Sequence, residues 1–130
     1  MPRDCAQSPG PVDCAAEEAH EETVQRLRKT LPDLTPAAGL LSLLADGVRL
    51  TVLATLSRSE LCVRHVAEAA GVSTAVASYH LRMLYRFGVI SLRKSGRESY
   101  YSIADEGVRD LLAFAEQYSA DMAGGDSTND

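Results

Sequence analysis

Apolar positions recur with a helical period along most of this chain and switch to a two-residue period only once. Residues from about Ala16 to Thr30 are polar with a narrow apolar stripe, Val24, Leu27 and Leu31, which predicts a surface helix ending before Pro32. Thr35 then caps a second helix with Pro36 at its first position, and PAAGLLSLLAD is apolar nearly all round, the pattern of a deeply buried helix. Asp46-Gly47 breaks the run. Val48 to Leu56 reads as a third helix with Leu50, Val52, Leu53 and Leu56 turned inward. Two helices separated by a short turn follow: Val63 to Ala70, closed by Gly71, and a helix capped by Ser73 that runs to Arg86 and ends at Gly88. The two-residue period comes next, in VISLRKSGRESYYSI, where Val89, Ser91 and Arg93 alternate, Ser95-Gly96 turns, and Tyr100 to Ile103 returns as a β-hairpin. Asp105 caps a last helix to about Met122, with Val108, Leu111, Leu112, Ala115, Tyr118 and Met122 on one stripe. Residues 1–15 lack periodicity and read as a flexible arm, residues 16–123 as the folded domain, and residues 124–130 as a disordered polar tail.

This order predicts a mainly α fold with a small β-hairpin: helix, Gly-containing turn, helix, then a hairpin with a basic tip is a winged helix-turn-helix. The second helix of such a unit lies in the major groove of DNA and offers the side chains of its N-terminal part to base edges. Here those are Ser73, Thr74, Ala75, Ser78 and Tyr79, with His80 and Arg82 a turn later. Small hydroxyl side chains allow close approach to phosphates or bases. Val76, Leu81 and Leu84 are expected to face the core, and Arg93, Lys94 and Arg97 on the hairpin to reach neighbouring phosphates or a minor groove. His80 fits a packing role as well as a DNA contact, and Tyr79 fits a packed surface position.

Charge supports the DNA reading once its distribution is considered. The net charge of −5 opposes binding to a polyanion. Residues 73–101, however, hold Arg82, Arg86, Arg93, Lys94 and Arg97 against Glu98 alone, while acids gather toward the ends at Glu17, Glu18, Glu21, Glu22, Asp105, Glu106, Asp110, Glu116 and Asp121. The field at the contact face governs binding more than the total does.

The length of 130 residues suits one domain with one core, and no apolar stretch is long enough to span a bilayer. The N-terminus lacks the basic-then-apolar pattern of a secretory signal. Three irregularly spaced cysteines do not form a disulfide framework, so a cytoplasmic location with free thiols is expected. One of these thiols has a notable neighbour. Cys62 and His65 are spaced to share one face of a helix, and thiolate and imidazole are favoured ligands of zinc-group ions. A buried cysteine acting as a small apolar filler fits the same spacing.

LADGVRL, SELCVRHVAEAAGVS, ASYHLRMLYRFGVI and GRESYYSI together resemble the ArsR/SmtB family of metal-sensing repressors, in order and with the family's spacing, from about Thr35 to Met122. Gly47 stands where the family usually has proline. The resemblance implies a homodimer built on residues 16–31 and 105–122, repression through an imperfect palindrome in double-stranded DNA, and release of that operator when an inducing metal binds. It also implies a metal box at Cys62-Val63-Arg64-His65, where the family carries Cys-Val-Cys-Asp or Cys-Val-Gly-Asp. Arg64 removes the second cysteine of the first variant, and His65 replaces the aspartate of the second with a better ligand for a soft or borderline ion.

Such boxes are completed by the N-terminal arm, usually of the other protomer, and the arm here offers Cys5, Cys14 and His20. By its separation from the box, Cys14 matches the arm ligand of the Cys-Val-Gly-Asp members. Cys14, Cys62 and His65 with either His20 or Cys5 would form a four-coordinate site for Zn(II), Cd(II) or Pb(II). Cys5, Cys14 and Cys62 would instead make a trigonal thiolate set suited to arsenite. A second family site on the last helix retains Asp105 and Asp121 here, but Gly107 and Tyr118 occupy the histidine positions, so that site is expected to be absent or vestigial. Other readings are a repressor triggered by thiol oxidation, with Cys5 or Cys14 pairing to Cys62, and a zinc-stabilised interaction module that binds no DNA. An enzyme with Cys62 as nucleophile is disfavoured, because no oxyanion hole or third orienting residue is recognisable.

Overall fold

The computed structural model describes the backbone of residues 17–129 and the side chains of residues 18–124. The chain divides into two compact units after Ala37, within the second helix. In the first unit, helix α1 (Glu17–Thr30) carries Val24 and Leu27 on its exposed surface, and its end is marked by Leu31, whose N–H donates to the carbonyl of Leu27. Helix α2 (Thr35–Leu44) begins where the Asp33 carboxylate accepts the N–H of Thr35, a bond that holds the Asp33 carboxyl below its usual range.

The second unit is built from helices α3 (Gly47–Arg58), α4 (Val63–Ala70), α5 (Thr74–Arg86) and α6 (Glu106–Asn129) and strands β1 (Leu61–Cys62), β2 (Ile90–Ser95) and β3 (Glu98–Ile103). Its core is one apolar cluster, with Val52, Leu53, Leu56, Val66, Leu81 and Leu84 fully buried, closed by Val89, Ile90 and Ile103 from the wing and Leu112 from α6. Asp46 caps α3 by accepting the N–H of Arg49 at 3.0 Å. Gly71 closes α4 at φ 71°, a left-handed conformation that glycine adopts without strain, and Ser73 caps α5 by accepting the N–H of Val76 at 3.1 Å. The Gly71–Ser73 turn is therefore built as the sequence pattern predicts.

Several expectations are corrected. The second helix is not deeply buried: only Leu43 and Leu44 enter the core, while Leu40 and Leu41 are exposed. A helix apolar all round needs partners on every side, and this unit covers only its C-terminal end. Leu50 likewise lies on an exposed face of α3. Leu81 and Leu84 are buried as expected, but Val76 points outward, because the first core position of α5 is Ala77. The last helix continues past Met122 to Asn129.

The hairpin is also larger than its two strands. β1 pairs antiparallel with β3, giving a three-stranded sheet in the order β1-β3-β2. Gly96, at φ 64°, makes the turn between β2 and β3. Cys62 is therefore extended (φ −82°, ψ 169°) and is the N-cap residue of α4, not a helical residue.

Candidate DNA-reading face and metal site

Helix α5 presents Thr74, Ala75, Val76, Tyr79 and Arg82 to solvent from its first turns, with Ser73 exposed as their cap. The Ser73 hydroxyl oxygen is used by the Val76 N–H, which leaves its proton to donate outward. Ser78 is half-buried and accepts from Arg82 Nη1 at 2.9 Å, so the guanidinium is held along the exposed face. Val76 joins this face as a residue the sequence reading assigned to the core. Its register against Ala77, Leu81 and Leu84 is the signal that could have shown it.

His80 is not on that face. It is 8% exposed, its Nδ1 accepts the Nε–H of Arg49 at 3.1 Å, and Tyr79 packs edge-on against its ring at 5.1 Å. Arg49 also donates from Nη1 to the carbonyl of Leu43 at 2.8 Å. One arginine thus ties α5 to the end of α2 and the start of α3. The Arg49 N–H holds the Asp46 carboxyl below the usual aspartate range, with the charge of Arg49 adding to the effect. His80 is a packing residue of α5.

The wing departs from expectation at one arginine. Lys94 and Arg97 are exposed at its tip. Arg93, in contrast, makes a two-pronged pair with Glu60, Nε to Oε2 at 3.0 Å and Nη2 to Oε1 at 2.8 Å, and its guanidinium lies 5.1 Å from the centre of the Tyr100 ring. The hydrogen bonds from Arg93 hold the Glu60 carboxyl below its usual range. Neither Glu60 nor Arg49 was singled out from the sequence, because their partners lie 33 and 31 residues away.

Cys62 and His65 are brought together. Cys62 Sγ lies 3.6 Å from His65 Nδ1, with Cys62 buried and His65 exposed. A tetrahedral ion with a thiolate at about 2.3 Å and an imidazole nitrogen at about 2.05 Å separates those two atoms by about 3.6 Å. The separation of the pair therefore matches that between two corners of a zinc-like site. His20 is exposed on α1, in the other unit, and Cys5 and Cys14 lie outside the described residues. Among the described residues, no three His, Cys, Asp or Glu side chains form a group that could hold a metal. Asp105 Oδ1 accepts the N–H of Gly107 at 2.6 Å, and Asp121 Oδ1 accepts from Gln117 Nε2 at 3.0 Å.

A capped helix presenting short polar side chains, set beside a basic-tipped wing, defines a DNA-binding protein of the winged helix-turn-helix class. Comparisons with known proteins agree. Residues 40–91 match the bacterial regulatory proteins of the arsR family. The chain is 37% identical over 113 residues to a cadmium resistance transcriptional regulatory protein CadC homolog from Staphylococcus aureus, covering 85% of this chain and 93% of that one. It is 37% identical over 101 residues to a transcriptional repressor SmtB homolog from Synechocystis, covering 75% and 76%. The solution structure of a homodimeric winged helix-turn-helix DNA-binding domain from Mycobacterium bovis superposes with a TM-score of 0.63 at 30% identity, over 72% of this chain and 92% of that one. The chain belongs to the ArsR/SmtB family of bacterial transcriptional regulators.

Proposed function

We propose that this protein is a cytoplasmic, homodimeric repressor that holds operator DNA in its metal-free state and releases it when a zinc-group ion binds at Cys62 and His65. The observation that carries this reading is the 3.6 Å Sγ–Nδ1 separation at the start of α4, which suits a thiolate–imidazole corner of a tetrahedral site. In this reading Cys14 completes the site together with Cys5 or His20, and zinc, cadmium and lead are the ions such a mixed set prefers. The CadC and SmtB relatives support a metal trigger, and the homodimeric Mycobacterium bovis domain supports a dimer that reads two half-sites.

DNA is bound by α5 in the major groove, through Thr74, Ala75, Val76, Ser78, Tyr79 and Arg82, with Ser73 and the wing residues Lys94 and Arg97 on phosphates. Two such helices must lie about 34 Å apart to meet successive major grooves. Metal binding next to α4 favours a dimer that no longer meets this spacing. The coupling is reciprocal, so DNA weakens metal binding by the same factor, about 5–150-fold in known cases.

The test is anaerobic titration of the reduced protein with cadmium, following thiolate-to-metal absorption. Anisotropy of a labelled duplex, selected from a random pool by the metal-free protein, is followed in parallel. We expect one ion per protomer, weaker absorption in Cys14→Ser and Cys62→Ser, and a Cys62→Ser protein that binds the duplex but no longer releases it with cadmium. An unchanged response in Cys62→Ser overturns the assignment.

A further inference from the structure

Cys62, Tyr100 and Arg93 form one row across the sheet: Cys62 of β1 is in register with Tyr100 of β3, and Tyr100 with Arg93 of β2. Directly opposed residues of antiparallel strands point to the same face. Glu60 lies two residues before Cys62 and closes this row by gripping Arg93 with both carboxylate oxygens. The row thus begins at the thiol beside His65 and ends at a cation of the wing.

Glu60 takes the Nε–Nη2 edge of Arg93 and offsets its charge, so a phosphate that needs that edge must displace the carboxylate. The pair is also well placed for exchange. Its side chains are 56% and 37% exposed, so a DNA phosphate can reach the arginine. Glu60 immediately precedes β1, whose two residues include Cys62, so the carboxylate and the thiol lie on one short stretch of backbone.

We infer that Glu60 acts as an internal competitor of operator phosphate for Arg93, and that ligation of Cys62 and His65 sets how firmly it competes. This rests on the metal-sensing reading above and names the route by which that site reaches the wing. Without metal, the operator draws Arg93 away from Glu60 and gains a phosphate contact. Ligation of Cys62 fixes β1, keeps the carboxylate in front of Arg93 and weakens DNA binding. By reciprocity, DNA that captures Arg93 loosens β1 and weakens the metal. Glu60 and Arg93 are positioning residues in this scheme. Glu60 touches neither metal nor DNA.

Glu60→Gln is the informative variant, since it keeps the shape and removes the charge that competes. Affinity for the selected duplex is measured between low and moderate salt, with and without cadmium, in wild type, Glu60→Gln, Arg93→Gln and the double variant. Thermal unfolding and the cadmium absorption titration are run on each. In the metal-free state we expect Glu60→Gln to bind DNA more tightly at an unchanged slope of log affinity against log salt, because Arg93 meets a phosphate in both complexes, and Arg93→Gln to lower that slope by about 0.9 per wing engaged. The cadmium absorption of Glu60→Gln should match wild type, while its cadmium-driven loss of DNA affinity shrinks severalfold. Arg93→Gln should abolish the effect of the second substitution.

A pair that only braces β1 would lower the unfolding temperature of Glu60→Gln without tightening DNA binding, and would leave the salt slope of Arg93→Gln at the wild-type value. That result, or an undiminished cadmium response, overturns the inference while the metal-sensing reading stands. A wild-type protein that ignores cadmium overturns both.

Discussion

Asp46 shows how one side chain can serve two neighbours. Its Oδ1 caps α3 through the Arg49 N–H, and the arginine so placed reaches His80 on α5 and the carbonyl of Leu43. Because that N–H bond favours the carboxylate, the folded-state pKa of Asp46 is depressed. A depressed carboxylate stabilises the fold above the unfolded-state value, about 4, and this contribution is lost as pH falls through the lower folded value. Asp46→Asn keeps a good cap but cannot ionise. In urea unfolding across pH 2 to 6, wild type should therefore gain stability over Asp46→Asn as pH rises to about 4, with a constant difference above. A difference independent of pH would show that the carboxylate charge is not what the cap uses. At this scale the sequence was most legible for residues that act on near neighbours. Gly71, Ser73 and the Cys62–His65 pair each work within three residues. Arg93 was read by its type as a phosphate ligand, and its partner Glu60 could not be found, because 33 intervening residues must fold before they meet.

Among the elements, the helix-turn-helix was recognised because both of its boundaries are chemical signals, a glycine and a serine, and because its buried stripe repeats. Val76 was misplaced by one register: the core position is the small Ala77, which hydrophobicity ranks below its valine neighbour. β1 escaped because two residues carry no period. Its existence depends on β3, nearly forty residues later. The sequence spacing of Cys62 and His65 suggested a shared helix face, and the two groups do meet, but through an extended N-cap residue followed by the first helical turn. The turn itself can be tested at Gly71. A Cβ added there meets nothing within 4 Å, so Gly71→Ala is opposed only by the left-handed backbone at φ 71°. We expect a loss of about 1–2 kcal/mol in urea unfolding. A loss near zero would mean that the α4–α5 turn relaxes into another conformation.

For the molecule as a whole, the exposed apolar residues argue most directly for a partner copy. Phe114 and Tyr118 stack at 5.8 Å on α6 with 64% and 56% exposure, and Met122 continues the same face at 53%. The periodic stripe announced this helix, while the split between its core side, Leu112, and its open side became visible only in the folded unit. If this face joins two protomers, as the family relation implies, Tyr118→Glu should weaken dimerisation at least about tenfold in sedimentation equilibrium. DNA affinity should fall with it, because two half-sites would no longer be read by one linked pair. A dimer undisturbed by that substitution would place the interface elsewhere.

The burial of Cys62 has a consequence for timing. Cys62, the second residue of β1, is 3% exposed, whereas His65 stands in solvent. If the proposed site holds, an arriving ion would meet the imidazole first and reach the buried thiol only when its surroundings open. When metal is scarce, the rate of response follows the supply. When metal is plentiful, it would level off at the rate at which the thiol becomes accessible, so the speed of the switch would become a property of the fold and no longer of the metal concentration.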